Sequence, residues 1–296
     1  MSGGIVAGLL AGALWGLVFV APRMTPGLSS LDLAAGRFLA YGLVSLVVLL
    51  VLPRRRLPTA SQMAWALGLS VLGFTGYYWF LVLAIREAGT EVPTLIIGTI
   101  PLWVMALGKP AGLRWAALVP GLVLTATGLA LMVDATAPAG ASAAAPAFAR
   151  GVGWAVLAMA CWTVFALLNA AWLKRHPEVS ATEWANWLGV ATGAGALVLW
   201  AALGTPAAEL ARHPGFAQSA LVCVATGFGS AWLATILWNL ASQRLSASLC
   251  GQLIVSETVF ALVYAFMLDG RWPGLAPLSA AVLFTFGILF SIRAHR

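Results

Sequence analysis

A chain of 296 residues with 61% hydrophobic and 8% charged residues and a mean hydropathy of +0.95 carries about a third of the charge of a typical soluble domain, which excludes a protein dissolved in water. The net charge of +7 does not mark a nucleic-acid surface, because the basic residues stand at the ends of apolar runs, where membrane topology places them. Cys161, Cys223 and Cys250 lie inside apolar runs with no CxxC pair, which argues against a disulfide framework or a thiolate metal site.

The apolar runs are each about 20 residues long, enough for a helix rising about 1.5 Å per residue to cross about 30 Å of hydrocarbon. The alternating pattern of a membrane barrel is missing. The first run is Ile5 to Ala21, ended by Pro22 and Arg23, with no basic region before it that would mark a cleaved signal. The second runs from Leu31 to Leu52 and stops at Pro53 and Arg54, Arg55 and Arg56. The third covers Gln62 to Arg86, the fourth Val92 to Gly108 and the fifth Leu113 to Val133. Asp134 to Arg150, rich in Ala and Pro and without apolar period, reads as a linker. The sixth run is Gly151 to Leu173, the seventh Thr182 to Leu203, the eighth Ala217 to Ala241, the ninth Ala247 to Leu268 and the tenth Leu275 to Ile292. The expected fold is all-α, a polytopic membrane protein of ten transmembrane helices. Its units are residues 1–133, an extracytoplasmic linker 134–150, and residues 151–296.

Two passages carry the same order of helix end, small-residue turn and new helix: Ala84 to Trp103, and Leu240 to Phe260. In this match Pro101 falls opposite Glu257. Further pairs follow in register: Trp15 with Trp162, Asp32 with Glu183, Gly73 with Gly229, and Gly128 with Gly287. Each copy holds five spans, an odd number, so the second copy is inverted relative to the first. Inverted repeats place a site near the midplane and let one half rock against the other, which points to transport by alternating access. With both termini in the cytoplasm, Arg54, Arg55, Arg56, Lys109, Arg114, Lys174, Arg175, Arg244, Arg293 and Arg296 lie inside. Arg23, Arg86, Arg150, Arg212 and Arg271 then lie outside, in keeping with the positive-inside rule.

Trp15, the glycines of the third and eighth spans, the polar turn before Pro101, and Trp238-Asn239 carry a resemblance to the drug/metabolite transporter superfamily, in particular its EamA-type members. Trp15, Tyr77-Tyr78, Trp162 and Trp238-Asn239 are most similar to the YddG-type amino-acid exporters. The chain departs from that pattern at Gly98-Thr99-Ile100-Pro101, where those exporters carry larger aromatic residues. The resemblance implies a bacterial inner-membrane exporter with a central cavity between spans one to four and six to nine, with five and ten outside it.

Candidate substrate contacts are Trp15, Tyr78, Thr99, Trp162, Asn169, Trp238, Asn239 and Ser256. A Trp in mid-span seeks a partner for its N–H, whereas Trp65, Trp115, Trp154, Trp184, Trp200 and Trp272 fit an interfacial belt. The small polar residues could equally bond helix to helix. Glu257 and Arg37 are charges within spans, where an ionisable group is costly and functional by default. Glu257 reads as a proton-coupling group, a counter-charge or a structural carboxylate. Pro22 and Pro101 interrupt helix hydrogen bonds and are candidate bends. No cofactor, metal or nucleic acid is expected, the partners are a small-molecule substrate and lipid, and the sequence leaves the oligomeric state open, a monomer included. The substrate reading is amino acids, neutral and aromatic ones included. The alternative is a drug or quaternary cation, with or without exchange for protons, and with aromatic faces for cation–π contact. An intramembrane enzyme would need concentrated acid–base or metal groups, yet His176, His213 and His295 are scattered among loops and tail.

Overall fold

The computed structural model describes residues 1–51, 57–89, 91–136, 146–270 and 274–296. Nine helices among them are long and apolar enough to cross a membrane, and a tenth is shorter. In chain order they are α1 (Ser2–Phe19), α2 (Ser30–Val51), α3 (Ala60–Ala88), α4 (Val92–Leu107, the shorter one), α5 (Trp115–Thr136), α6 (Pro146–Arg175), α7 (Ala181–Leu203), α8 (Phe216–Arg244), α9 (Ala247–Asp269) and α10 (Leu275–Ala294). No strand occurs among the described residues.

Local chemistry sets the helix starts. Ser180 Oγ accepts from Glu183 N at 3.1 Å while the Glu183 carboxylate accepts from Ser180 N at 2.9 Å, a reciprocal cap that opens α7. At α2, Ser29 Oγ accepts from Asp32 N at 3.0 Å and donates to the Asp32 carboxylate at 2.6 Å. The sequence pairing of Asp32 with Glu183 therefore has a physical cause: both acids serve a Ser cap at the positive end of a helix. Gly89, at φ 77°, ends α3 and reverses the chain toward α4, a conformation that costs a residue with a Cβ.

Helices of residues 1–136 pack mainly on helices of residues 146–294. α2 packs on α7 and α5 on α10, and the second half of α4 packs on the first half of α9. α1 lies against α8 and α9, as α6 lies against α3 and α4. Small residues permit these close crossings. A Cβ at Gly42 would stand 2.6 Å from the Gly193 Cα, so α2 and α7 touch backbone to backbone. Along α1, Gly4, Gly8, Gly12 and Gly16 recur at every fourth residue and are all buried. They face Leu245, Leu253, Ser256 and Phe260 in turn. In a bilayer, where lipid tails compete as apolar solvent, such close packing is a main source of helix cohesion.

Four helices are irregular, in corresponding places. α4 is interrupted at Thr99 and α9 at Val255, each break closed by N–H bonds reaching back three residues. Wider, π-type turns occupy Val71–Thr75 in α3 and Gly227–Leu233 in α8. Thr99 and Val255, like Val71 and Gly227, are 156 residues apart.

Three expectations shift. The presumed linker is helical at both ends, α5 running to Thr136 and α6 starting at Pro146. Pro22 lies in a tight turn, Ala21–Met24, beyond the end of α1. Trp184 belongs to no interfacial belt: it is fully buried and stacked on Trp172 with ring centroids 3.6 Å apart. Pro53, Arg54, Arg55, Arg56, Arg271 and Trp272 lie outside the described residues.

Candidate functional site

The site begins where α1, α6 and α8 meet. Trp15, Trp162 and Trp238 form a triangle, with ring centroids 6.3 Å apart for Trp15–Trp162, 5.3 Å for Trp15–Trp238 and 6.2 Å for Trp162–Trp238. Trp238 is buried, and its Nε1 has no protein acceptor; Trp15 and Trp162 are half-buried. Aromatic contacts continue from this triangle across the bundle. Trp162 meets Phe165 at 5.9 Å, Phe165 meets Phe74 at 5.5 Å, Phe74 meets Phe38 at 5.8 Å, and Phe38 meets Tyr78 at 6.2 Å. Edge-to-face geometry dominates the run, the arrangement favoured by the quadrupoles of the rings. The wall thus joins α8 and α1 through α6 and α3 to α2.

Two charges stand beside this wall. Arg37 on α2 rests over the Phe38 ring at 4.7 Å, and its Nε is buried with no acceptor. It lies within electrostatic reach of Tyr77, Tyr78, Glu257 and Cys223. Glu257 is half-buried in the first turn of the second half of α9, where the positive helix end favours an anion. Its nearest cationic influence is Arg37. Of the two candidate tyrosines on α3, Tyr78 spends its hydroxyl on the Ser30 carbonyl at the start of α2. Tyr77 faces the charges as well, within reach of both Glu257 and Arg37.

The remaining candidates sit around this centre. Asn169 and Asn239 are fully buried and bonded to each other, Nδ2 to Oδ1 at 3.0 Å. Trp184 Nε1 donates to Asn169 Oδ1 at 2.7 Å, and Asn239 Nδ2 also reaches the Ala181 carbonyl at 3.4 Å. Their amides tie α6, α7 and α8 together below the tryptophans. Thr99 donates to the Ile96 carbonyl at 2.6 Å and contacts Met159 Sδ at 3.2 Å, one helical turn from Trp162. Ser256 donates to the Leu253 carbonyl at 2.7 Å and packs against Gly12. Pro101 lies in the first turn after the Thr99 break, a position that tolerates a residue without an N–H. Pro101 and Glu257 therefore both stand two residues beyond a break. Phe38 and Phe74 were not singled out from the sequence; the spacing of four between Phe74 and Tyr78, and Arg37 beside Phe38, were the available signals.

Burial differs between the two ends of the bundle. In α9 every residue from Ser248 to Ile254 is buried, while in Ser256–Asp269 Ser256 alone is. Trp172, Trp184, Trp187 and Leu188 fill the same end between α6 and α7. At the other end, ion pairs join Arg23 to Asp269, with both carboxylate oxygens at 3.0 Å, and Arg150 to Glu87 at 3.1 Å. Among the described residues no cluster of His, Cys, Asp and Glu could hold a metal ion.

The EamA-like transporter family matches the chain over residues 2–133. The chain is 32% identical over 309 residues to the inner membrane protein YtfF of Escherichia coli (strain K12), an alignment covering 99% of this chain and 96% of that protein. A solved crystal structure, 21% identical in sequence, shares the fold with a TM-score of 0.78 over 98% of each chain.

Proposed function

The chain belongs to the EamA-like transporter family, and we propose that this integral membrane transporter exports amino acids, neutral and aromatic ones included, by alternating access through the interior lined by Trp15, Trp162 and Trp238. The observation that carries the reading is the meeting of those three rings, drawn from both halves of the chain, in a bundle that also holds two charges, Arg37 and Glu257, with no ion-pair partner among the described residues. An aromatic triangle offers a broad, rigid apolar surface to a substrate side chain. The charges offer the polar contacts that a small metabolite's head needs.

The two copies act as inverted five-helix repeats. Matching breaks at Thr99 and Val255, matching π-type turns, and the packing of α1 on α8 and α9 as α6 packs on α3 and α4 support this symmetry. Both termini lie in the cytoplasm of a bacterial inner membrane. Lys109, Lys174, Arg175, Arg244 and Arg293 share the packed end, in keeping with the positive-inside rule. The described conformation is then open to the outside and closed to the cytoplasm. The chain works as a monomer.

Purified protein in liposomes, loaded in turn with labelled phenylalanine, leucine, threonine and a quaternary ammonium dye, tests the function. Counterflow of the amino acids is expected. Flux of the dye with none of the amino acids would replace this reading by export of organic cations.

A further inference from the structure

We propose that α4 and α9 are latched at the packed end by a backbone hydrogen bond, Ser248 N to Gly108 O, which Gly108 and Gly251 make possible. The opposite end lacks the pieces of such a latch, so the conformation closed at the packed end is the resting state. The proposal rests on the alternating-access reading and names what holds one of its two states.

A helix leaves its last carbonyls and its first N–H groups without partners inside it. Gly108 follows the last residue of α4, and α9 begins at Ala247 behind the capping Ser246. In the first turn of α9, Leu249 N donates to Ser246 Oγ at 3.1 Å and Ser248 N donates to Gly108 O at 3.1 Å. The second bond crosses from one helix to the other and joins the negative end of α4 to the positive end of α9. Ser248 is fully buried, where a backbone donor without a partner is costly. The approach leaves no room for side chains on the facing backbones. A Cβ at Gly108 would stand 2.8 Å from Ser248 N, and one at Gly251, a turn further along α9, would stand 2.9 Å from Met105 N. Val104 and Met105, which face Gly251, are fully buried.

The other end is built differently. The 156-residue offset that relates Thr99 to Val255 sets Leu95 against Gly251 and Tyr264 against Gly108. The segments that would meet there, Glu91–Gly98 and Ser256–Asp269, share no comparable packing, and the Tyr264 hydroxyl is spent on the Ala13 carbonyl of α1 at 3.0 Å. A leucine and a tyrosine in the places of two glycines keep the backbones apart, because a packed contact does not absorb the added volume. That end therefore closes on side chains, without a bond from helix end to helix start. The state with the extra bond and the closer packing is favoured in the absence of substrate, and opening the packed end draws on the substrate's preference for the other state.

Double electron–electron resonance on the protein in lipid nanodiscs, with Cys161, Cys223 and Cys250 replaced by serine, tests the latch. Spin labels at Leu107→Cys and Arg244→Cys report the packed end, and labels at Arg86→Cys and Met267→Cys report the other; all four positions are exposed. Without substrate, and with both glycines in place, the state closed at the packed end should exceed the other at least about tenfold. Gly251→Leu gives the packed end the residue of its counterpart. It should lengthen the Leu107–Arg244 distance and shorten the Arg86–Met267 distance in at least about half of the molecules. Gly251→Ala, a milder change, should shift both distances in the same directions in a smaller fraction. Reciprocity separates a released latch from a loosened fold, which lengthens or broadens both distances. Lengthening at both ends, no shift in either variant, or an even division between the two states with both glycines in place overturns the latch. Reciprocal shifts in a protein that shows no counterflow of phenylalanine, leucine or threonine support the latch and overturn the amino-acid reading.

Discussion

Where α9 begins, all seven residues from Ser248 to Ile254 are buried; where it finishes, Ser256 is the buried residue of a fourteen-residue segment. α3 shows the same contrast, with Gly73 and Thr75 buried at its π-type turn but only Ala84 in the stretch Gly76–Ala88 that follows. The two ends of the bundle are made from the same helices, so composition does not separate them. Close approach does. At the packed end small residues bring backbones together, and buried amides and indoles are spent on one another, as in Asn169–Asn239–Trp184. At the other end fewer residues are buried, and Arg37 and Glu257 have no ion-pair partner among the described residues. Two exposed ion pairs tie that rim. A bundle whose copies can exchange these two arrangements has the physical requirement for alternating access.

Substitutions should report the contrast in graded fashion. Trp184→Ala removes a fully buried ring stacked at 3.6 Å on Trp172 and the N–H that Asn169 accepts. It should cost about 4 kcal/mol, read as thermal unfolding in detergent. Gly42→Ala forces a Cβ onto the Gly193 backbone and should cost about 2 kcal/mol through overpacking. Gly153→Ala, which would meet nothing within 4 Å in α6, should instead be neutral or stabilise by about 0.5 kcal/mol through helix propensity. Equal losses at the two glycines would break the comparison. Trp15→Ala, at a half-buried ring, should cost about 1 kcal/mol of stability yet reduce amino-acid counterflow at least about tenfold, a loss of about 1.4 kcal/mol of transition-state or binding free energy. Asp269→Asn breaks a pair whose side chains are 52% and 48% exposed and should shift stability by about 0.5 kcal/mol or less. A loss as large as that of Gly42→Ala would mean that the rim is held together more firmly than its packing indicates.

Much of this was legible in the residues, for identifiable reasons. The spans follow from apolar runs of a length that hydrocarbon dictates. Trp15 and Trp162 stood out because Trp is uncommon in mid-span, and they do meet. Pro101 read as a candidate bend, and α4 is interrupted two residues before it; the break at Val255, two residues before Glu257, had no such signal, since an acid suits a helix's first turn without requiring a break. Phe38 and Phe74 escaped notice because Phe is at home anywhere in a bilayer. Trp184 was misplaced because nearness to a span end in sequence says nothing of depth within the bundle. The four-residue ladder of glycines on α1 was in plain view, but what it packs against is a tertiary fact. Whether Asn169 and Asn239 face a ligand or each other is likewise decided by neighbours from other spans.

The central claim is that one end of a shared interior is closed while the other is open. Single cysteines placed after replacing Cys161, Cys223 and Cys250 by serine, probed with a membrane-impermeant thiol reagent applied from either face, test it most directly. Tyr77→Cys should react from the face carrying Arg23 and Asp269, and Leu253→Cys from neither face in the absence of substrate. Labelling of Leu253→Cys from the opposite face as readily as Tyr77→Cys from its own would contradict the account.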